Sequence, residues 1–160
     1  MIPEKTIYKI VLSTPVSVRF ADVDAYNIVH NVNYFHYFDI GRFAMVDRFL
    51  RKEKPSEVGN HLFLILKTNC KYLRYAQAGD QLTVETVYSY NIEQNSAKIE
   101  FFHRIFKEEG KTLIAEGSTT LGICDHNYKL FFKIPEEVKN YLRERLSYHL
   151  ENPSPEVKIL

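Results

Sequence analysis

The chain has little that would tie it to a membrane, a nucleic acid or an oxidising compartment. Its two cysteines, Cys70 and Cys124, lie far apart in 160 residues with no Cys-x-x-Cys pair, the usage of reduced thiols in a cytoplasmic protein. Neither sign of charge prevails: 21 Lys and Arg face 20 Asp and Glu, so no global field recruits nucleic acid or a lipid surface. The opening MIPEKTIYKI lacks the apolar centre of a signal peptide, and no apolar run approaches the ~20 residues of a membrane span. These absences lead to the expectation of a soluble, cytoplasmic protein with no nucleic-acid or membrane partner.

The common catalytic motifs are missing too. No Gly-x-Ser-x-Gly elbow seats a nucleophilic serine, no Gly-rich loop cradles a phosphate or dinucleotide, and no His-Glu-x-x-His is present. The six histidines are scattered, and on a helix His30 and His36 would stand on different faces. Cys124-Asp125-His126 is tempting as a thiol site. Neighbours on a strand or loop point in different directions, however, and a strand-end thiol is the plain reading.

What is present suits one globular domain over residues 1–160: 45% apolar residues and 14% aromatics, enough for a core without staples. Val16, Val18 and Phe20 alternate with polar residues as in a half-buried strand. From Val32 to about Arg51 the pattern predicts a helix, with Asn31 as its N-cap and Arg48, Arg51 and Lys52 at its C-terminal end. Its apolar residues cover most of the circumference, so protein must wrap it. Leu62–Tyr75, a strand starting at Leu82, another spanning Ala97 to Ile105 and a last one from Leu113 to Leu121 supply the wrapper. Turns are expected at Ala78-Gly79-Asp80, Asn95-Ser96 and Glu109-Gly110. Ile134-Pro135-Glu136-Glu137 opens a second, amphipathic helix, and the tail after Glu151 is expected to be loose. The class is α+β, an antiparallel sheet curled around a long central helix.

Chemistry concentrates in Phe20 to Tyr34, where Asp22 and Asp24 follow a strand and a helix N-terminus comes next. The first turn of a helix offers unpaired N–H groups and a positive dipole end, a ready place for an oxyanion. A carboxylate opposite it can attack a thioester carbon or activate water. An Asp in such a loop is also an ordinary turn former or cap, so local chemistry leaves both readings open.

RFADVDAYNIVHNVNYFHYFDIGR resembles the corresponding segment of the 4-hydroxybenzoyl-CoA and YbgC-type thioesterases, hot-dog-fold enzymes of acyl-CoA. KYLRYAQAGDQLTVET is similar to that family's strand, Gly-Asp turn and following strand, and the likeness spans roughly residues 15–145. The resemblance implies a hot-dog fold and hydrolysis of an acyl thioester, with no cofactor beyond the coenzyme A of the substrate. It implies Asp24 as catalytic nucleophile or general base, and Asn31 as the residue whose backbone N–H meets the thioester oxygen. Asn33 and Tyr34 match the Asn-Tyr that begins the family's helix, His30 is either a pocket residue or an exposed loop imidazole, and Asp22 matches a structural acid. It further implies a site at the interface of a homodimer or homotetramer.

Three positions depart from the pattern. Asn27 stands where the family commonly has Gly, although Asn tolerates positive φ better than most residues. Asn31 and Phe20 replace the His and Tyr of the YbgC branch. The Asn31 pattern is closer to acyl-ACP thioesterase-like proteins, so acyl-CoA and acyl-ACP both stand as substrates. Phe35, Tyr37 and Phe38 line an acyl pocket or are plain core, and Lys67, Lys71 and Arg74 meet phosphates or form a solvated strand face. Another class of function on the same fold is a non-enzymatic acyl-CoA-binding module, which would keep the pocket and lack the carboxylate. A dehydratase would need a His a few places after the Asp, and His30 lies six on.

Overall fold

The computed structural model describes residues 6–50, 61–108 and 110–160. Period-two patterning builds its sheet. In β1 (Ile7–Ser17) every second residue from Tyr8 to Leu12 is buried. In β3 (Gln81–Asn91) the inward set is Leu82, Val84, Thr86, Tyr88 and Tyr90, and in β4 (Lys98–Lys107) it is Ile99, Phe101, His103 and Ile105. With β2 (Leu62–Tyr72), β5 (Thr112–Cys124) and the short β6 (Val157–Ile159) these form one antiparallel sheet in the order β2-β5-β4-β3-β1-β6. Among the described residues β2 pairs on one side only, with β5.

The central helix α1 (Asn31–Met45) runs on as a π turn over Val46–Leu50, twenty helical residues in all. It lies in the hollow of the sheet. Gly41 permits the close approach to β3, since a Cβ there would strike the Thr86 hydroxyl and the Val84 side chain. The N-terminal half of α1 packs Tyr34, Tyr37 and Phe38 against Val18, Val84 and Ile105. The C-terminal half packs Met45 and Phe49 against Tyr88, Phe101 and the second helix, α2 (Glu136–Glu151). α2 buries Val138, Leu142, Leu146 and His149 on one face. It also caps the carbonyls that the π turn leaves open: Arg145 donates to Phe49 O at 2.9 Å and Tyr141 donates to Leu50 O.

Several expectations are corrected here. The alternation at Val18 and Phe20 does not continue the strand. β1 stops at Ser17, Phe20–Asp22 forms a 3-10 turn, and Phe20 is exposed, because Arg19 clamps Asp22 and bends the chain. β2 ends at Tyr72 rather than Tyr75. The tail is not loose: β6 pairs with β1 over Ile10–Leu12. Arg51, Lys52 and Glu109 lie outside the described residues, whereas Gly79 and Gly110 take the positive φ that their turns need.

Candidate active site

The loop before α1 is a small closed structure. Val23 and Val29 form an antiparallel bridge, with Asp24 N–H donating to Ile28 O at 2.9 Å and His30 N–H to Asp22 O at 2.9 Å. Asn27 turns the loop back at φ 60, the left-handed conformation Asn tolerates in place of Gly. Val29 N–H donates to Ala76 O at 2.8 Å, which ties the loop to the segment after β2.

The two aspartates are placed differently. Asp22 is 2% exposed, and Arg19 grips it through Nη2–H at 2.7 Å and through its backbone N–H at 3.0 Å. Tyr37 O–H donates to the same carboxylate at 3.0 Å. Burial works to raise the Asp22 carboxyl, but the bonds from Arg19 and Tyr37 outweigh it and hold the group below the ordinary carboxylate value. Burial and the Asp22 bond together push the Tyr37 phenol up. Asp24, at the loop tip, is half-buried; its Oδ1 accepts Tyr26 N–H at 2.8 Å in an Asx turn. No described residue is bonded to its Oδ2.

The helix begins one residue earlier than expected. His30, not Asn31, is the N-cap: its Nδ1 accepts Val32 N–H at 3.4 Å and its carbonyl accepts Asn33 N–H at 2.9 Å. An imidazole serves here because the bridge between Val23 and Val29 delivers residue 30, rather than 31, in extended conformation at the first turn. With Nδ1 accepting, the neutral ring carries its proton on Nε2. Asn31 is exposed at the first helical position, where an α-helix leaves its N–H without an intrahelical acceptor. Tyr72 O–H donates to Asn31 O at 3.2 Å.

Asn33 and Tyr34 are turned inward. Asn33 Nδ2–H donates to Asp22 O at 2.7 Å, and Tyr34 is 3% exposed with its ring edge-on to Tyr37 and Tyr72. The structure thus brings Asp24, His30 and Asn31 to one exposed loop and helix end, and places Asn33 and Tyr34 behind them. Tyr37 and Phe38 are core, and Phe35 packs on the same cluster. Lys67 and Lys71 lie on the exposed face of β2, and Arg74 donates to Leu113 O at 2.9 Å. Burial lifts the Cys70 thiol to about 11, so it stays protonated and unreactive near neutrality. Among the described residues no group of His, Cys, Asp and Glu is placed to hold a metal, and no helix is long and apolar enough to cross a membrane.

Sequence reasoning missed the supporting residues. Arg19 had a local signal, a cation three places before an acid; Tyr72 and Ala76 had none, because the contacts they make are distant in the chain.

Known proteins share this architecture. The chain is similar to a 1,4-dihydroxy-2-naphthoyl-CoA thioesterase from Synechocystis at 17% identity and TM-score 0.67, over 84% of this chain and 96% of that one. The DHNA-CoA thioesterase of Staphylococcus aureus matches at 18% identity and TM-score 0.69, over 92% and 99%. The probable thioesterase YbaW of Escherichia coli matches at 23% identity and TM-score 0.63, over 84% and 96%. These likenesses establish the hot-dog fold. A family model described as the thioesterase-like superfamily matches residues 18–142, from the end of β1 through the first turns of α2, and so the chain belongs to that superfamily.

Proposed function

We propose that the protein hydrolyses an acyl thioester, with acyl-CoA as the substrate, Asp24 as the catalytic carboxylate and the α1 N-terminus as the oxyanion site. The observation that carries this reading is the half-buried Asp24, oriented through Oδ1 and unpaired at Oδ2 among the described residues, on the loop that leads into the Asn31 N–H. The thioester oxygen rests on that N–H while the carbonyl carbon meets the carboxylate. As nucleophile, Asp24 forms a mixed anhydride and expels the thiolate, which takes up a proton; water then cleaves the anhydride. As general base, Asp24 takes a proton from water, hydroxide adds to the carbon, and the same thiolate leaves. His30 caps the helix and presents Nε2–H beside the site, while Asn33 and Tyr34 hold the loop and helix in register.

The membership in a thioesterase-like superfamily supports the reaction class, and two of the matched structures carry the name of a CoA thioesterase. An acyl-ACP substrate is the second carrier to test. The two free thiols fit the reducing cytoplasm.

β2 supports an assembly. It is an eleven-residue edge strand with Phe63, Ile65, Leu66 and Tyr72 exposed, and Phe43 of α1 is exposed as well. A long apolar edge of this kind is a template for pairing, and we assign it to a second copy in a homodimer or homotetramer. Light scattering decides between these; a monomer at micromolar concentration counts against it.

The test of function is free-thiol release from short, long and aromatic acyl-CoAs and from acyl-ACP, wild type beside Asp24→Asn. Release by the wild type with almost none by the variant is expected. Full activity in Asp24→Asn removes the mechanism. Tight acyl-CoA binding without turnover in the wild type replaces it with a binding module.

A further inference from the structure

Under the proposed mechanism the Asn31 N–H meets the thioester oxygen, and such a donor is most effective when its aim is fixed before the reaction. Most of the groups around it are fixed by the loop itself. His30 N–H donates to Asp22 O at 2.9 Å, and His30 O accepts Asn33 N–H at 2.9 Å. Beyond Asn31, Val32 N–H is held by His30 Nδ1 at 3.4 Å. One further bond comes from a different element: Tyr72 O–H donates to Asn31 O at 3.2 Å, from 41 residues along the chain.

The fold holds that hydroxyl in place. Tyr72 is the last residue of β2 and pairs with Ala115 of β5. Just after it, Leu73 N–H and Arg74 N–H both donate to Ile114 O, at 2.9 and 3.0 Å, so the backbone is anchored on both sides of the residue. Its ring meets the buried Tyr34 ring edge-on, with centroids 5.1 Å apart. The rest of the ring lies on the edge assigned to a second copy, but the bond uses only the hydroxyl and stays within one chain. In an α-helix the carbonyl of residue 31 already accepts from the N–H four places on. The Tyr72 bond is therefore a lateral tether on the first turn, and the helical ladder does not need it. A phenylalanine would keep the ring contact with Tyr34 and lose the tether.

We propose that Tyr72 is a positioning residue: its hydroxyl, through Asn31 O, fixes the first turn of α1 so that the Asn31 N–H points at the thioester oxygen. It acts through Asn31 and donates no bond to the substrate. The use of that N–H rests on the hydrolase reading; the tether itself does not.

Tyr72→Phe removes the hydroxyl and keeps the ring. With the acyl-CoA that the wild type cleaves best, kcat should fall about three- to tenfold while KM, melting temperature and oligomeric state hold. Two coenzyme A derivatives separate aim from packing. Octanoyl-CoA with CH2 in place of the sulfur keeps the carbonyl oxygen and cannot be hydrolysed, whereas S-octyl-CoA, a thioether, has no carbonyl. By calorimetry Tyr72→Phe should bind the ketone several-fold more weakly and the thioether as the wild type does. Equal effects on the two ligands, an unchanged kcat, or a fall in kcat matched by unfolding or dissociation each overturn the proposal. A wild type that cleaves no thioester, beside a Tyr72→Phe variant that still loses the ketone selectively, would leave the positioning role standing and remove the hydrolase reading. Asp24-dependent cleavage with the ketone bound equally by both proteins would do the reverse.

Discussion

Asp22 and Asp24 stand two residues apart on one loop and are held in opposite ways. Asp22 is sealed by Arg19, Tyr37 and burial, its backbone carbonyl taken by His30 N–H and by the Asn33 amide. Among the described residues the Asp24 carboxylate has one local bond, from Tyr26 N–H, and it is only half-buried. Under the proposed mechanism the difference separates support from chemistry. A carboxylate whose oxygens are committed cannot attack a carbonyl, whereas one oriented through a single oxygen can. The sealed acid makes the open one precise, since the same residue 22 anchors both the loop and the first turn of α1.

Substitution of each acid by its amide is the direct way to break that comparison. Asp24→Asn should lower thiol release at least ~10²-fold with an unchanged melting curve. Asp22→Asn should do the opposite first. It removes a charged acceptor from Arg19 and Tyr37, and urea titration should show a loss of about 2 kcal/mol. Arg19 is two-thirds exposed, and screening keeps its share small. A stability loss with Asp24→Asn, or none with Asp22→Asn, would mean that the roles are reversed.

How much of this was legible in the sequence follows from the range of each interaction. The alternation in β3 and β4, the Gly79-Asp80 turn and the wrapped helix were all readable, because period and turn chemistry are local. The loop that carries Asp24 was readable as a motif. The N-cap was misplaced by one residue because the Val23–Val29 bridge, tied to the distant Ala76 O by Val29 N–H, sets where the chain enters the helix. Val157–Ile159 looked like a loose tail after two prolines, since nothing near it in sequence reveals that β1 offers an open edge.

A third buried polar group extends the contrast from one loop to the whole core. His103 lies under α1, bonded to Thr86 Oγ1 at 3.2 Å and stacked on Phe38. Burial, followed by the Arg42 charge, lowers it from 6.5 to about 4. Between those values the unfolded chain binds a proton that the folded chain does not, so stability is full above pH 6.5 and falls as the pH drops towards 4. From pH 6.5 to 5 the loss should be roughly 2 kcal/mol. His149, lowered chiefly by burial, acts in the same direction, and Asp22 adds its loss below the ordinary carboxylate range. Urea midpoints across this window should slope less in His103→Asn than in the wild type. Equal slopes would show that His103 does not carry the acid sensitivity.

The smallest effect bears on His30, which has two readings that the same variant can separate. As an N-cap it satisfies Val32 N–H through Nδ1, and loss of a cap costs about 1 kcal/mol. His30→Ala should show that loss, and His30→Asn, a good cap, should recover most of it. Neither change tests the outer nitrogen until activity is measured beside stability. If Nε2–H also meets the substrate, both variants lose turnover while His30→Asn keeps the fold, so stability and activity part company at this one residue. If the imidazole is a cap alone, activity follows stability, and His30→Asn is close to wild type in both. The second outcome would leave Asp24 and the α1 N-terminus as the whole of the proposed catalytic apparatus in this chain.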